Sequence, residues 1–220
     1  MPSRKIPKNH LFVTGAYASS KSDVMIGFES LLEKEYMLLL DFDPTVEKYV
    51  EQPVTLPAPG KSRRYTPDLL VTFRENSTGH RPPAQLIEIK TTADLARKAE
   101  DLAPKFAVAE QYAADRGWIF LKKTELDIRT QRLANLKFLR RYRNLSPPPE
   151  EVANVIERLA ALGGAAQLQT LLDLLGSTLE EQAQWTPVLW HLIVSGQILF
   201  DMNTESLPSN IEIWLPEEHA

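Results

Sequence analysis

The sequence predicts an α/β domain, a mixed sheet flanked by helices, followed by a small domain of three helices and a hairpin. Three observations lead there. Strand-length runs of Val, Leu and Ile alternate with segments of helical spacing as far as about residue 121. Ser146-Pro147-Pro148-Pro149 then forms a stiff break, which makes 1–146 and 147–220 the expected domains. The charge also changes sign there. After Pro147 there is one basic residue, Arg158, against eleven acids, which leaves 24 basic and 18 acidic residues before it. The first part is thus about +6 and the second about −10. A basic footprint suits nucleic acid and an acidic domain does not.

Composition narrows the chemistry. Among 220 residues there is no cysteine, which excludes disulfides and cysteine–zinc sites and fits a reducing cytosol. The four histidines, His10, His80, His191 and His219, show no ligand spacing. A metal would therefore rest mainly on carboxylates, which favours a hard ion such as magnesium or manganese. No apolar run is long enough to span a membrane, and the first residues lack the apolar stretch of a signal peptide.

Taken in order, residues 1–22 read as a basic arm with Lys5, Lys8 and Lys21. Residues 23–41 read as a helix with Ser22 or Asp23 as cap, and it carries Glu29, Glu33 and Glu35. Val46 to Pro57 reads as one strand. Lys61-Ser62-Arg63-Arg64 is a basic loop, and Arg63 and Arg64 are candidate phosphate contacts. Tyr65 to Lys90 contains two short apolar runs around a loop with Asn76, Gly79, Pro82 and Pro83, the pattern of a hairpin. A helix over about 94–115, divided or kinked by Pro104, and a strand over 118–121 follow. Residues 122–143 are strongly basic, with an amphipathic helical C-terminal half. Lys122, Lys123, Lys137, Arg140 and Arg141 are candidate DNA contacts. Helices over 150–162, 167–175 and 178–196, the last with Pro187 near its first turn, precede strands at 197–201 and 210–215. That order suggests a winged-helix-like domain. Its acidity points to protein docking rather than to DNA.

The hairpin carries the chemistry. Asp68 stands at the start of its first strand, and Glu88 and Lys90, two apart on the second, share a face. Two acids and a lysine among Leu, Ile and Val are costly to bury unless they are paired or hold a metal. Two carboxylates, helped by the Ile89 carbonyl, can hold magnesium for phosphodiester hydrolysis, and a lysine can orient or deprotonate the water. Structural ion pairing is the competing explanation. From the residues alone, Glu29 and Glu33 both remain open as a further carboxylate. The Pro67-Asp68…Glu88-Ile89-Lys90 arrangement resembles the active-site core of the PD-(D/E)xK, restriction-endonuclease-like superfamily.

A more specific resemblance runs over residues 25–143. Leu32 to Pro44, Val46, Tyr49, Glu51-Gln52-Pro53, Tyr65 to Val71 and Ile87 to Lys90 are similar to the TnsA family, the endonuclease subunits of heteromeric cut-and-paste transposases. The resemblance implies Glu33, rather than Glu29, as the helix carboxylate. It implies Asp68 and Glu88 with the Ile89 carbonyl as the further metal positions, Lys90 as the lysine and Mg2+ as the ion, with Mn2+ as a substitute. Glu88 departs from the best-known member, which has Gln, and matches the wider nuclease pattern. The resemblance further implies 5′ cleavage of double-stranded DNA at transposon ends, in a prokaryotic cytosol or nucleoid. The implied partners are an RNase H-like transposase subunit (TnsB-like) and an AAA+ ATPase regulator (TnsC-like). The alternatives are a stand-alone restriction-like nuclease and a nuclease fold kept as a DNA-binding or assembly module.

Overall fold

The computed structural model of the chain describes residues 14–22, 24–59, 64–203 and 211–216. It divides into two units between Arg129 and Thr130.

In the first unit, β1 (Gly15–Tyr17) pairs antiparallel with β2 (Ile26–Phe28). The expected helix over 23–41 is therefore shorter, because Ile26 and Phe28 alternate with Gly27 and are buried as a strand. α1 (Leu31–Asp41) begins at Ser30, whose Oγ accepts the Glu33 N–H at 3.1 Å, so the cap is neither Ser22 nor Asp23. α1 buries Leu32, Tyr36, Met37, Leu38 and Leu40. Its last residue, Asp41, accepts from Tyr17 Oη at 2.9 Å, Ser19 Oγ at 2.6 Å and Tyr49 Oη at 3.0 Å. These bonds fasten part of the expected basic arm to the core. The rest of that arm, with Lys5 and Lys8, lies outside the described residues.

β3 (Val46–Glu51) ends at Gln52, whose φ of 42° lies in the left-handed region and turns the chain out of the sheet. One expected strand thus becomes two. β4 (Leu56–Pro57) pairs with β5 (Arg64–Tyr65) apart from the main sheet. β6 (Leu69–Phe73) and β7 (Gln85–Ile89) form the expected hairpin, with Leu69 opposite Ile87. The helix expected over 94–115 is also two, α2 (Thr92–Arg97) and α3 (Ala99–Ala114), broken at Lys98. Pro104 does not divide them but lies inside α3. β8 (Ile119–Lys123) returns parallel to β7, giving the order β3-β6-β7-β8, a mixed sheet. Leu86 on one face packs with Leu102, Phe106, Ala109 and Ala113 of α3 and with Tyr65. The short α4 (Glu125–Ile128) ends the unit.

The second unit starts earlier than the proline run suggests. α5 (Gln131–Leu139) and a 3-10 turn over Arg140–Tyr142 belong to it. The reason is apolar. Leu139 joins its core, Phe138 packs edge-on to Trp190 with ring centroids 5.4 Å apart, and Asn135 Nδ2 donates to the Met202 carbonyl at 2.9 Å. The prolines lead into α6 (Pro149–Ala161), with Pro149 in its first turn, where a missing N–H costs nothing. β9 (Ala165–Gln167), α7 (Leu168–Leu175), α8 (Leu179–Val194), β10 (Leu199–Phe200) and β11 (Glu212–Trp214) follow. β9 adds a third strand that the sequence pattern did not reveal, in the order β10-β11-β9. Pro187 lies well inside α8 rather than in its first turn. The succession helix, strand, two helices, two strands is of winged-helix type.

Candidate active site

Asp68 reaches the site because its own backbone, just before β6, is fixed on both sides. Its N–H donates to the Ile87 carbonyl at 3.0 Å, and its carbonyl accepts the Gln52 N–H at 2.8 Å. The residue is thus held where β3 leaves the sheet and β6 enters it. Its Oδ2 accepts the Ile89 N–H at 2.6 Å, a bond across the hairpin that turns the carboxylate toward β7. Glu88 is almost wholly buried, at 3% exposure. Its two oxygens are divided: Oε1 lies 2.8 Å from Lys90 Nζ, and Oε2 accepts the Tyr65 hydroxyl at 2.7 Å. The Lys90 ammonium also lies 3.4 Å from Asp68 Oδ2 and donates to the Ile89 carbonyl at 3.0 Å. Asp68, Glu88 and the Ile89 carbonyl therefore converge on one positive charge, as the hairpin pattern leads one to expect.

Glu33 comes from α1. Its Oε2 accepts the Glu29 N–H and its Oε1 the Ser30 hydroxyl, each at 2.8 Å, so the carboxylate is held back over the helix start. Those two bonds fix the side chain at the N-terminal end of α1. Glu29 accepts from Gln52 Nε2 at 3.1 Å. The two glutamates left open by the spacing thus have different positions, and both are felt electrostatically at Asp68 or Lys90.

The electrostatics follow from burial. Burial, reinforced by the Asp68 charge, pushes both Glu33 and Glu88 up to about 7. Burial also raises Asp68, against the pull of Lys90. Burial alone would lower Lys90, but Asp68 and Glu88 outweigh it and hold the ammonium charged. Tyr65, buried beside Glu88, is raised and stays a donor. Perturbed groups of this kind cluster at functional sites.

The donor set suits a hard cation, being two carboxylate oxygens and a carbonyl gathered around the position of the Lys90 ammonium. Among the described residues no three His, Cys, Asp or Glu side chains form a group that could hold a metal ion.

The basic candidates separate. Arg64 is exposed on β5, and Lys122 and Lys123 lie on β8 opposite Glu88 and Ile89. The Lys122 ammonium sits over the Phe106 ring, 5.4 Å from its centroid. Lys137, Arg140 and Arg141 are exposed on the second unit, not on the first as their position before the proline run suggested. Arg141 packs on Phe138, 5.0 Å from the ring centroid. Arg63 lies outside the described residues. Tyr65, Ser30 and Gln52 are site residues that sequence reasoning missed. Only Ser30 had a readable signal, the Ser-x-x-Glu spacing to Glu33.

Two comparisons with known families bear on this geometry. A family described as TnsA-like endonuclease N terminal matches residues 43–125, which include the whole hairpin. A second, described as TnsA endonuclease C terminal, matches residues 127–202. The chain belongs to the TnsA endonuclease family. No curated protein matches it. As a TnsA-type protein it is the endonuclease subunit of a transposase and acts on DNA within a transposase complex. Among the described residues no helix is long and apolar enough to cross a membrane.

Proposed function

We propose that Asp68, Glu88 and the Ile89 carbonyl, with Glu33 as the further carboxylate, hold Mg2+ in a site that hydrolyses the 5′ strands at transposon ends. Mn2+ substitutes. The observation that supports this most is the convergence of three oxygen donors on the Lys90 ammonium, all within 3.4 Å. A divalent ion bound there supplies Lewis-acid stabilisation of the scissile phosphate and a more acidic water. The residues supply the rest. Asp68, fixed by the Ile89 N–H, orients one donor oxygen. Lys90, partly exposed, yields its place among the donor oxygens to the ion and, toward solvent, orients the attacking water and balances charge on the phosphate. Glu33, held at the start of α1 by the Glu29 N–H and the Ser30 hydroxyl, adds its carboxylate to the set.

Arg64, Lys122 and Lys123 flank the site as phosphate contacts, and Lys137, Arg140 and Arg141 extend DNA contact on the second unit. The remainder of that unit is acidic and suits a protein surface. It docks the complex, in which an RNase H-like, TnsB-like subunit makes the 3′ cuts and a TnsC-like AAA+ ATPase regulates. The setting is the prokaryotic cytosol. Excision reconstituted with the partner subunits tests this. Asp68→Ala abolishes 5′ cuts and leaves 3′ cuts in place, whereas clean double-strand excision by that variant refutes the assignment.

A further inference from the structure

We propose that Tyr65 is a positioning residue for the cation site, orienting Glu88 through the hydrogen bond from its hydroxyl to Oε2. The proposal deepens the metal assignment and rests on it. Tyr65 is buried, at 6% exposure, and comes from β5, a two-residue strand outside the main sheet. A buried hydroxyl needs a partner. This one is aimed at a carboxylate on a different sheet at 2.7 Å, the short distance of a charge-assisted bond. The ring is fixed independently: it packs edge-on to Phe106, centroids 6.2 Å apart, and Leu56 lies opposite Tyr65 in the β4–β5 pair.

The consequence lies in how the two oxygens of Glu88 are divided. With Oε2 taken by Tyr65, Glu88 presents Oε1, the oxygen now on Lys90, toward the point where Asp68 Oδ2 and the Ile89 carbonyl converge. Without the hydroxyl, only the groups on the Oε1 side orient the carboxylate, and the donor set is less firmly fixed. A ligand carboxylate is commonly held in this way by a hydrogen-bond partner behind it, and loss of that partner weakens metal binding by about 10- to 100-fold. Tyr65 also follows Arg64 directly, so the group that fixes Glu88 shares a strand with a candidate phosphate contact.

The test is Mn2+ affinity, measured by electron paramagnetic resonance on the full chain, for wild type, Tyr65→Phe, Glu88→Gln and the double variant. Phenylalanine keeps the ring packing. Tyr65→Phe is expected to weaken Mn2+ about 10-fold, and the double variant to bind no worse than Glu88→Gln alone. p-Aminophenylalanine at position 65, which restores an N–H donor, is expected to recover affinity. If Tyr65→Phe is only marginally folded, the same comparison is read as the Mn2+-induced rise in melting temperature. Wild-type affinity in Tyr65→Phe, or an equal loss from Tyr65→Phe in the Glu88→Gln background, overturns the role of Tyr65 while leaving the metal site standing. Wild-type protein that holds no Mn2+, or is indifferent to Glu88→Gln, overturns the metal assignment and this proposal with it.

Discussion

Replacing Glu88 by glutamine changes how stability depends on pH, and the size of the change follows from the site. Glu88 is 3% exposed, and burial beside Asp68 raises it from an ordinary 4.5 to about 7. Between those values the folded state binds a proton that the unfolded chain releases. The stabilisation is therefore complete below about 4.5 and lost as pH rises through about 7. At about 1.4 kcal/mol per pH unit, the window corresponds to roughly 3 kcal/mol as an upper bound. Glu33 and Asp68 share the same protons, so part of that figure belongs to the set rather than to Glu88 alone. For a chain of this size 1 kcal/mol moves the melting temperature by roughly 2–4 °C, so the loss between pH 5 and 8 is about 6–12 °C at most. Glutamine has nearly the same shape, still offers an oxygen to the Tyr65 hydroxyl and carries no titratable proton. Calorimetric melts in chelator from pH 5 to 8 are expected to show a steep fall for wild type and a shallower one for Glu88→Gln. Parallel curves for the two proteins would show that Glu88 is ionised throughout and that burial does not govern the site.

Other perturbations test other parts of the reasoning. Asp41→Asn puts an amide where three hydroxyls, from Tyr17, Ser19 and Tyr49, donate to a carboxylate. Denaturant unfolding is expected to show a loss of about 1–3 kcal/mol, because buried donors lose a charged acceptor. Combined reversal of Lys137, Arg140 and Arg141 to glutamate is expected to weaken binding to DNA and to flatten the dependence of log K on log salt by about 0.9 for each phosphate no longer neutralised. An unchanged slope would remove that segment from the DNA surface.

Much of the site could be read in the sequence because its parts are local. Pro67-Asp68 before an apolar run, and Glu88 and Lys90 two apart on the next, need only the period of a strand to fall together. The hairpin register, with Leu69 opposite Ile87, then does the rest. Glu33 is singled out by the family resemblance alone, since spacing does not choose between it and Glu29. Tyr65 and Gln52 could not be read. Tyr65 reaches Glu88 from a separate two-stranded sheet, and Gln52 reaches Glu29 only because its own backbone turns out of β3 at φ 42°. Such contacts depend on where a chain bends, which periodicity does not encode. The same limit explains the fold differences. The prolines at 147–149 looked like a boundary, but Leu139 and Phe138 are apolar groups that pack into the later core, and that packing carries α5 across.

The charge balance of the site ties these observations to its chemistry. Glu33, Asp68 and Glu88 are three carboxylates in and beside an apolar sheet, and Lys90 is the one ammonium that lies against Asp68 and Glu88 among the described residues. One positive charge does not balance three negative ones at low local dielectric, so the Asp68 charge adds to burial in raising Glu33 and Glu88 to about 7, and protons make up part of the difference. On the proposed metal site, a cation carrying two charges would exchange for those protons without leaving the site unbalanced. Affinity for such an ion is then expected to rise with pH up to about 7 and to level off above it, because proton and ion compete for the same oxygens. Lys90 has a part in the same exchange. Its ammonium stands where the oxygen donors converge, and its side chain is partly exposed, so an ion taking that place would displace it toward solvent. A neutral Gln at position 88 lowers the charge of the set by one, so it weakens ion binding and stabilises the buried sheet together. One substitution therefore acts in opposite directions on folding at neutral pH and on metal affinity, a pairing that a purely structural ion pair between Lys90 and its acids does not produce.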